Sequence, residues 1–225
     1  MKAAPGARSW IAAGVRHELL TRALPALRHD MAAPVSVIRM ALLMLKRQIG
    51  APVVDAVVCE ERVALIDNQV SELVQGIRSL RDWELATTDD GITRSALVAQ
   101  CVGLMRAAFD MHGVELDIDA TLDPRGDEPR WPQGAALRYL VLGGLGYLHD
   151  GASEPGAIRI EADGPDALRL RALPRESAGA SPVLDAHRAP RALAIDAIAL
   201  QSLAEDLGYT VAVERDSVRF ALVAG

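Results

Sequence analysis

The chain has 225 residues, half of them hydrophobic and only 4% aromatic, so it can bury a core made mostly of Ala, Leu and Val. This composition excludes a disordered protein. Charged residues of both signs make up 24% of the chain and the net charge is −6, which argues against a nucleic-acid-binding surface over the whole molecule.

The cysteines and the apolar runs bear on where the protein works. Cys59 and Cys101 lie far apart with no Cys or His neighbours at metal-binding spacing, so neither a disulfide framework nor a zinc site is predicted. A reducing cytoplasm is the expected location. The most apolar run, Val35 to Leu45, is interrupted by Arg39 and is too short for a membrane span, so no membrane association is expected.

The apolar pattern up to about residue 80 predicts two long helices. Between Leu20 and Ile49, apolar residues recur every three or four positions. A second stripe, from Val63 to Leu80, has close to the 3.5-residue repeat of a left-handed bundle. Residues 50–52, Gly-Ala-Pro, form the predicted turn between them. Because a lone hairpin leaves much of both stripes in water, we expect a homodimer held by a four-helix bundle.

From about Thr87 the pattern changes to alternating helices and strands. The predicted helices span 95–111, 134–150 and 192–207, and the predicted strands span 114–120, 157–161, 167–172, 210–214 and 218–223. This alternation predicts a two-layer α/β sandwich, with a loop over 175–190. Residues 1–86 hold 11 basic and 9 acidic side chains (+2), whereas residues 87–225 hold 13 and 21 (−8). We therefore predict an α+β fold with two domains, 1–86 and 87–225.

His29 is the residue with the strongest case for chemistry. It lies on the first predicted helix, roughly 160° from the centre of the apolar stripe, so its imidazole is expected in solvent. Asp30 follows it directly, and Pro34 comes five residues after it. An imidazole can accept a phosphoryl group on one nitrogen when the other carries the proton, and an adjacent carboxylate can fix that tautomer. Pro34 loosens the helix where a partner would approach.

Weaker candidates have simpler explanations. The other four histidines share no spacing typical of a site, and solvated or capping roles are expected for His17, His112, His149 and His187. The pair His149-Asp150 ends a predicted helix, where a cation interacts favourably with the helix dipole. Gly143, Gly144 and Gly146 lie within an apolar helix pattern, which favours close helix-to-sheet packing over a phosphate-binding loop.

The run from Arg28 to Pro34, "RHDMAAP", resembles the phosphoacceptor motif of bacterial two-component sensor histidine kinases, in which His is followed by Asp or Glu and then by Pro five residues after the His. Residues 61–84 resemble the second bundle helix of that family, and residues 91–123 resemble the start of its ATP-binding domain. The resemblance covers most of the chain. It implies a dimerisation and histidine-phosphotransfer hairpin followed by an ATPase-like α/β sandwich.

The chain departs from that family at three parts of the ATP site. The family's magnesium-binding Asn is matched here by Gly146. Its adenine-binding Asp-x-Gly-x-Gly turn is replaced by residues 173–175, Leu-Pro-Arg, with Glu176 as the only acid nearby and Gly179 standing alone. Its glycine-rich lid is replaced around 185–190. No resident cofactor or metal is therefore expected, and ATP-driven autophosphorylation is not predicted.

A further departure concerns the fate of a phosphoryl group on His29. Many kinases of this family carry Thr or Asn four residues after the His and use it to orient water, whereas this chain has Ala33. Alanine has no polar side-chain atom for that purpose. Transfer to a partner is therefore expected rather than hydrolysis through this position.

Taken together, these residues resemble a histidine phosphotransferase on a degenerate kinase scaffold, similar to ChpT-like dimeric phosphotransferases of bacterial phosphorelays. The resemblance implies that His29 and Asp30 carry the chemistry and that Arg28, Pro34 and Arg39 help to dock response-regulator receiver domains, which supply the magnesium. Two alternatives stay open. One is a non-catalytic dimeric pseudokinase adaptor, and the other is an ATP-dependent histidine kinase with a divergent lid.

Overall fold

The structure, a computed structural model, describes residues 5–84, 91–151, 155–175 and 193–224. Its helices are α1 (Pro5–Ile49), α2 (Ala56–Glu84), α3 (Arg94–Asp110), α4 (Gly134–Gly151) and α5 (Ala197–Asp206). Its strands are β1 (Ile92–Thr93), β2 (Glu115–Ile118), β3 (Arg130–Trp131), β4 (Pro155–Ala162), β5 (Ala167–Pro174), β6 (Val211–Val213) and β7 (Ser217–Ala221). The predicted α+β class is confirmed. None of the helices in the described ranges combines the length and apolar character needed to cross a membrane.

Helices α1 and α2 form the predicted hairpin. After the short turn that ends α1, Asp55 caps α2 by accepting hydrogen bonds from the backbone N–H groups of Val57 and Val58, at 3.0 and 3.2 Å. Met31 of α1 lies 3.8 Å from where a Cβ on Gly76 of α2 would lie. Since these two residues are about equally distant from the turn, the helices run antiparallel. Pairing of this hairpin with a second copy stays a prediction.

The other half of the chain is a two-layer sandwich, as predicted. Its main sheet has the strand order β2-β4-β5-β7-β6, in which β2 and β4 are parallel and all other neighbours are antiparallel. Helix α4 packs closely on this sheet. A Cβ on Gly144 would lie 3.3 Å from Leu170 of β5 and 3.5 Å from Val218 of β7, so glycine permits the close approach that its sequence context predicts. Strands β1 and β3 pair separately as a two-stranded sheet.

Helix α5 begins later than its apolar pattern indicates. The predicted start at residue 192 lies outside the described residues, and the helix begins at Ala197 because the Asp196 side chain accepts a hydrogen bond from the Ala199 N–H at 2.8 Å. Gly208, with φ of 79°, follows the end of the helix as predicted. Most of the predicted loop at 175–190 also lies outside the described residues.

The division between the two compact units falls inside α1. Residues 24–84 form one unit, the hairpin, whereas residues 5–23 group with the described residues from 91 onward, the α/β unit. Within 5–23 the buried side chains are Ala12, Val15, Leu19 and Ala23, which recur in steps of three or four. Residues 5–23 therefore have an apolar stripe of their own. The prediction of a domain spanning 1–86 did not anticipate this grouping.

Candidate functional site

The His-Asp pair and Pro34 all lie within α1, which is helical through both of its internal prolines. The side chains of His29 and Asp30 are outside the described part of the structure, so their roles remain predictions. Arg28 and Arg39 are exposed, which suits side chains expected to meet a partner. Pro34, by contrast, is buried. Its burial agrees with the expected loosening of the helix, in which the Asp30 carbonyl lacks its N–H donor, and its part in partner docking stays a prediction.

The helical face that includes position 29 continues along α1 as an exposed surface. Positions 33, 36, 40, 43 and 47 follow in steps of three or four, and all five are exposed. Met40 and Leu43 are 57% and 60% exposed, although both are apolar. The apolar stripe of the sequence analysis did not include them, because they lie on the other side of the helix. Exposed apolar side chains beside a cation such as Arg47 are typical of a docking surface.

The position that the family resemblance assigns to the metal ligand is filled by protein atoms. A Cβ on Gly146 would lie 2.7 Å from Cδ1 of Ile195, 3.5 Å from Cδ2 of Leu19 and 3.6 Å from Nη1 of Arg22. The first distance is too short for carbon atoms in contact. A metal-binding side chain at this position would have to displace Ile195 and crowd α1. Leu19 and Arg22 belong to the segment 5–23, whose packing here was not predicted.

The other two departures from the ATP site are only partly described. Leu173 and Pro174 lie in β5, and the Arg175 side chain that follows donates a hydrogen bond to the Gly113 carbonyl at 3.0 Å. Glu176, Gly179 and residues 185–190 lie outside the described residues. The steric observation at Gly146 therefore bears most directly on nucleotide binding.

Gly146→Asn, which restores the family's metal ligand, is expected to destabilise the protein without conferring nucleotide binding. The new side chain overpacks the contact with the terminal Cδ1 methyl of Ile195, which has to shift, so the loss should lie at the lower end of the about 1–3 kcal/mol typical of overpacking. Gly103→Asn is a matched control, because a Cβ on that helical glycine would meet nothing within 4 Å. Urea unfolding compares the two variants, and calorimetry with magnesium-ATP tests binding. Equal stability of both variants, or micromolar ATP affinity of Gly146→Asn, would contradict this prediction.

A buried polar cluster adjoins Gly146. The Asp150 carboxylate, 2% exposed, accepts hydrogen bonds from Nη1 and Nη2 of Arg22 at 3.1 and 2.8 Å and from the Ile195 N–H at 2.8 Å. Nδ1 of His149 lies 3.3 Å from Oδ1 of Asp150, and Glu18 accepts a further hydrogen bond from Arg22 at 2.9 Å. This cluster joins α1 to the end of α4. The sequence shows the Glu18-Arg22 spacing, but nothing in it pairs Arg22 with a residue 128 positions away.

Two of the weaker histidine candidates meet in this region. His149 is buried, so a solvated role for it is wrong. Its ring packs against Phe109 and against His112, with centroids 4.9 and 5.0 Å away. Its position in the last turn of α4 agrees with the expected interaction with the helix dipole.

The donors around Asp150 control its ionisation. Burial by itself would raise the pKa of the Asp150 carboxyl, but hydrogen bonds from His149, Arg22 and the Ile195 N–H outweigh it and lower the pKa to about 2. Burial by itself would lower the pKa of the Arg22 guanidinium, but Asp150 and Glu18 outweigh it and raise the pKa above its usual value. The carboxylate and the guanidinium are therefore both charged at neutral pH.

The pKa of Asp150 predicts how stability depends on pH. Because the folded-state pKa of about 2 lies below the ordinary value of 3.8, ionised Asp150 contributes about 2–3 kcal/mol at pH 7, which is lost as pH falls through the folded pKa. Asp150→Asn should therefore be less stable than wild type by about 2–3 kcal/mol at pH 7 and by roughly half as much at pH 3. Urea unfolding at both pH values measures the difference in stability between wild type and Asp150→Asn. A difference that is the same at pH 7 and pH 3 would contradict the lowered pKa of Asp150.

Neither the buried Cys101 nor a metal-binding cluster offers a second site among the described residues. Burial raises the pKa of the Cys101 thiol to about 12, so it is not a nucleophile at neutral pH. Across the described ranges, no group of three or more His, Cys, Asp or Glu side chains is arranged to hold a metal ion. The motif on α1 thus remains the strongest candidate for chemistry.

Comparison with known proteins gives similarity to solved histidine kinases. No model of a protein family matches the sequence, and no curated protein matches it either. The cytoplasmic segment of histidine kinase QseC is similar with a TM-score of 0.37 and 15% identity, over 70% of this chain and 95% of that one. Histidine kinase AdeS from Acinetobacter baumannii is similar with a TM-score of 0.36 and 14% identity, over 86% of this chain and 98% of that one. Histidine kinase ThkA, solved in complex with response regulator TrrA, is similar with a TM-score of 0.35 and 13% identity, over 91% of this chain and 61% of that one.

Proposed function

We propose that this protein is a histidine phosphotransferase that passes a phosphoryl group between the aspartates of two response regulators through His29. One imidazole nitrogen of His29 attacks the phosphorus of an aspartyl phosphate, and a P–N bond forms as the P–O bond to the aspartate breaks. The aspartate leaves as a carboxylate. The reverse step delivers the group to a second regulator, whose receiver domain binds the magnesium needed for transfer. Asp30 holds the proton on the other ring nitrogen.

The observation that carries this proposal is the contrast between α1 and α4. The phosphoacceptor motif is complete in the sequence of a long helix whose neighbouring Arg28 is exposed. At Gly146, in contrast, Ile195, Leu19 and Arg22 occupy the space that a metal-binding side chain would need. A complete acceptor motif together with an obstructed nucleotide position favours transfer between partners over transfer from ATP.

The exposed face of α1 supports a protein partner. Arg28 precedes the motif, while Met40 and Leu43 lie about three and four helical turns beyond position 29 on the same face. Apolar side chains at this exposure favour a partner that covers them. A receiver domain docked along this face would have its phosphorylated aspartate near the histidine and its helices against Met40 and Leu43.

Incubation with phosphorylated receiver domains tests the proposal directly. The label should move to this chain, should be stable in base and labile in acid, as a phosphohistidine is, and should then pass to a second unlabelled receiver domain. Incubation with γ-phosphate-labelled ATP and magnesium should leave the chain unlabelled. Label acquired from ATP would replace the proposal with the divergent-kinase alternative.

A non-catalytic adaptor is the competing function. An adaptor requires only the shape of the α1 surface, so it would bind receiver domains through residues such as Arg39 and Met40 without becoming labelled. The adjacent His29 and Asp30 favour the phosphotransferase, because binding alone does not require an imidazole beside a carboxylate. Stable binding together with no label under any receiver-domain pairing would favour the adaptor.

We expect the protein to act as a homodimer through the predicted stripes of the hairpin. Among the described side chains of those stripes, the exposed ones are Leu24, Val35, Leu42 and Ile49 on α1 and Val63, Val70 and Ile77 on α2. Covering these aliphatic side chains contributes about 25 cal/mol per Å² of buried surface, which favours a stable four-helix bundle.

Light scattering at micromolar concentration should therefore give a dimer for wild type and a monomer for Leu42→Glu, which introduces a charge into the shared core. Val53→Glu is the matched control, since Val53 is 81% exposed in the turn and outside both stripes. Val53→Glu should remain dimeric. A monomeric wild type would contradict the bundle, and so would Leu42→Glu if it remained dimeric.

A further inference from the structure

Residues 5–23 of α1 pack on the α/β unit through a narrow apolar contact. Two of their four buried side chains are alanines, and Val15 and Leu19 are the larger ones. The boundary of the unit lies after Ala23, and Pro25 follows it inside the helix. Because proline has no N–H, the helix lacks the hydrogen bond that residue 25 would donate to the Thr21 carbonyl. The helix is thus weakened two residues beyond the boundary between the two units in the sequence.

Three ion pairs within the described ranges join the segment 5–23 to α4 and α5. They differ in how much of the paired side chains is exposed to solvent. Arg8 pairs with Glu205, and Arg16 pairs with Asp206 at 2.5 Å, but these side chains are about one quarter to one half exposed. Exposed ion pairs contribute little, because water and salt screen them. The third pair, between Arg22 and Asp150, has side chains 17% and 2% exposed.

The Arg22–Asp150 pair is also the one that is tied most closely into the fold. It is bidentate, and the guanidinium donates a further hydrogen bond to the Leu193 carbonyl at 2.9 Å. Asp150 in turn accepts the N–H of Ile195, whose side chain packs at Gly146. One ion pair therefore connects the segment 5–23, the end of α4 and the chain leading into α5.

We propose that residues 5–23 form a docked helix that opens from the α/β unit as one piece, with the Arg22–Asp150 ion pair as its latch. The weak point at Pro25 lets the segment detach without unfolding the hairpin. Opening would uncover the surface around Gly146 and Ile195, including the apolar area that Leu19 covers when docked. This device is independent of the phosphotransfer function, since none of its residues belongs to the His29 motif.

Hydrogen–deuterium exchange of the full-length protein at pH 7 tests the latch. In wild type, amides within 5–23 should be less protected than those of α4, because they exchange through a local opening. In Asp150→Asn, peptides from 5–23 should exchange at least roughly tenfold faster, while peptides from the first turns of α2 keep their rates. Asp127→Asn is the matched control, because Asp127 is an exposed acid of the same unit.

Arg22→Gln breaks the same pair from the other side and leaves the Asp150–Ile195 hydrogen bond in place, so it provides the test if Asp150→Asn fails to fold. It should also accelerate exchange selectively in 5–23. Unchanged protection of 5–23 in Arg22→Gln would overturn the latch. Equal acceleration across 5–23, α3 and α4 would overturn the independent opening, since it would mean that the segment unfolds only with the whole unit.

Discussion

His29→Gln and His29→Ala are expected to abolish phosphoryl transfer while leaving dimerisation and receiver-domain binding nearly unchanged. Transfer requires a nitrogen nucleophile, which neither replacement provides, whereas binding depends on surrounding residues such as Arg39 and Met40. Label transfer between two receiver domains measures the reaction, and light scattering and calorimetry measure assembly and binding. A His29→Gln protein that still moves label at the wild-type rate would remove the phosphotransferase proposal.

Asp30→Asn separates the two proposed roles within the motif. It keeps the shape of the side chain but removes the charge that fixes the imidazole tautomer, so transfer should slow by about 10²- to 10⁴-fold without being abolished. Arg47→Gln is a control on the same face of α1, since it also changes one charge but lies five helical turns away. Equal effects of the two changes would indicate that charge on this face, rather than the tautomer, determines the rate.

Leu19→Ala is expected to destabilise the protein by about 2–5 kcal/mol, the usual cost of removing a fully buried leucine side chain. Leu19 has no exposed surface and packs against the Gly146 position, so its loss leaves a cavity between α1 and α4. Urea unfolding followed by circular dichroism measures the change.

Trp10→Ala is the matched control for Leu19→Ala within the same docked segment. It removes a larger side chain, but Trp10 is 81% exposed, so stability should change by no more than about 0.5 kcal/mol. Similar losses for the two variants would mean that residues 5–23 contribute through helix length rather than through packing on the α/β unit. A negligible effect of Leu19→Ala would contradict the docked arrangement itself.

Most elements of this fold could be predicted from the sequence because their signals are local. The period of apolar residues predicted α1 from Leu20 onward, α2 and the hairpin turn, and the glycines in α4 predicted close packing on the sheet. Gly208 indicated the end of α5 because a left-handed backbone favours glycine. The short strands β1 and β3 were missed, since two residues are too few to show any periodicity.

The candidate site likewise has features that the sequence shows locally and features that depend on the tertiary structure. The spacing of His29, Asp30 and Pro34 along one helix is a local property, so the sequence by itself determined where phosphotransfer chemistry is proposed. The absence of an asparagine at position 146 could also be read directly. That this position is filled by Ile195, Leu19 and Arg22 depends on residues 49 to 127 positions away along the chain, and only the tertiary structure decided it.

The docked segment 5–23 shows why such features escape sequence analysis. Its stripe from Ala12 to Ala23 is a regular helical pattern, but the same pattern fits a helix that packs on a hairpin or on a sheet domain. Arg22 beside Glu18 is also consistent with an ordinary surface ion pair. Its burial against Asp150 follows from chain topology, because burial depends on which distant element covers a side chain. The sequence determined the helix and its chemistry, and the tertiary structure decided which domain that helix completes.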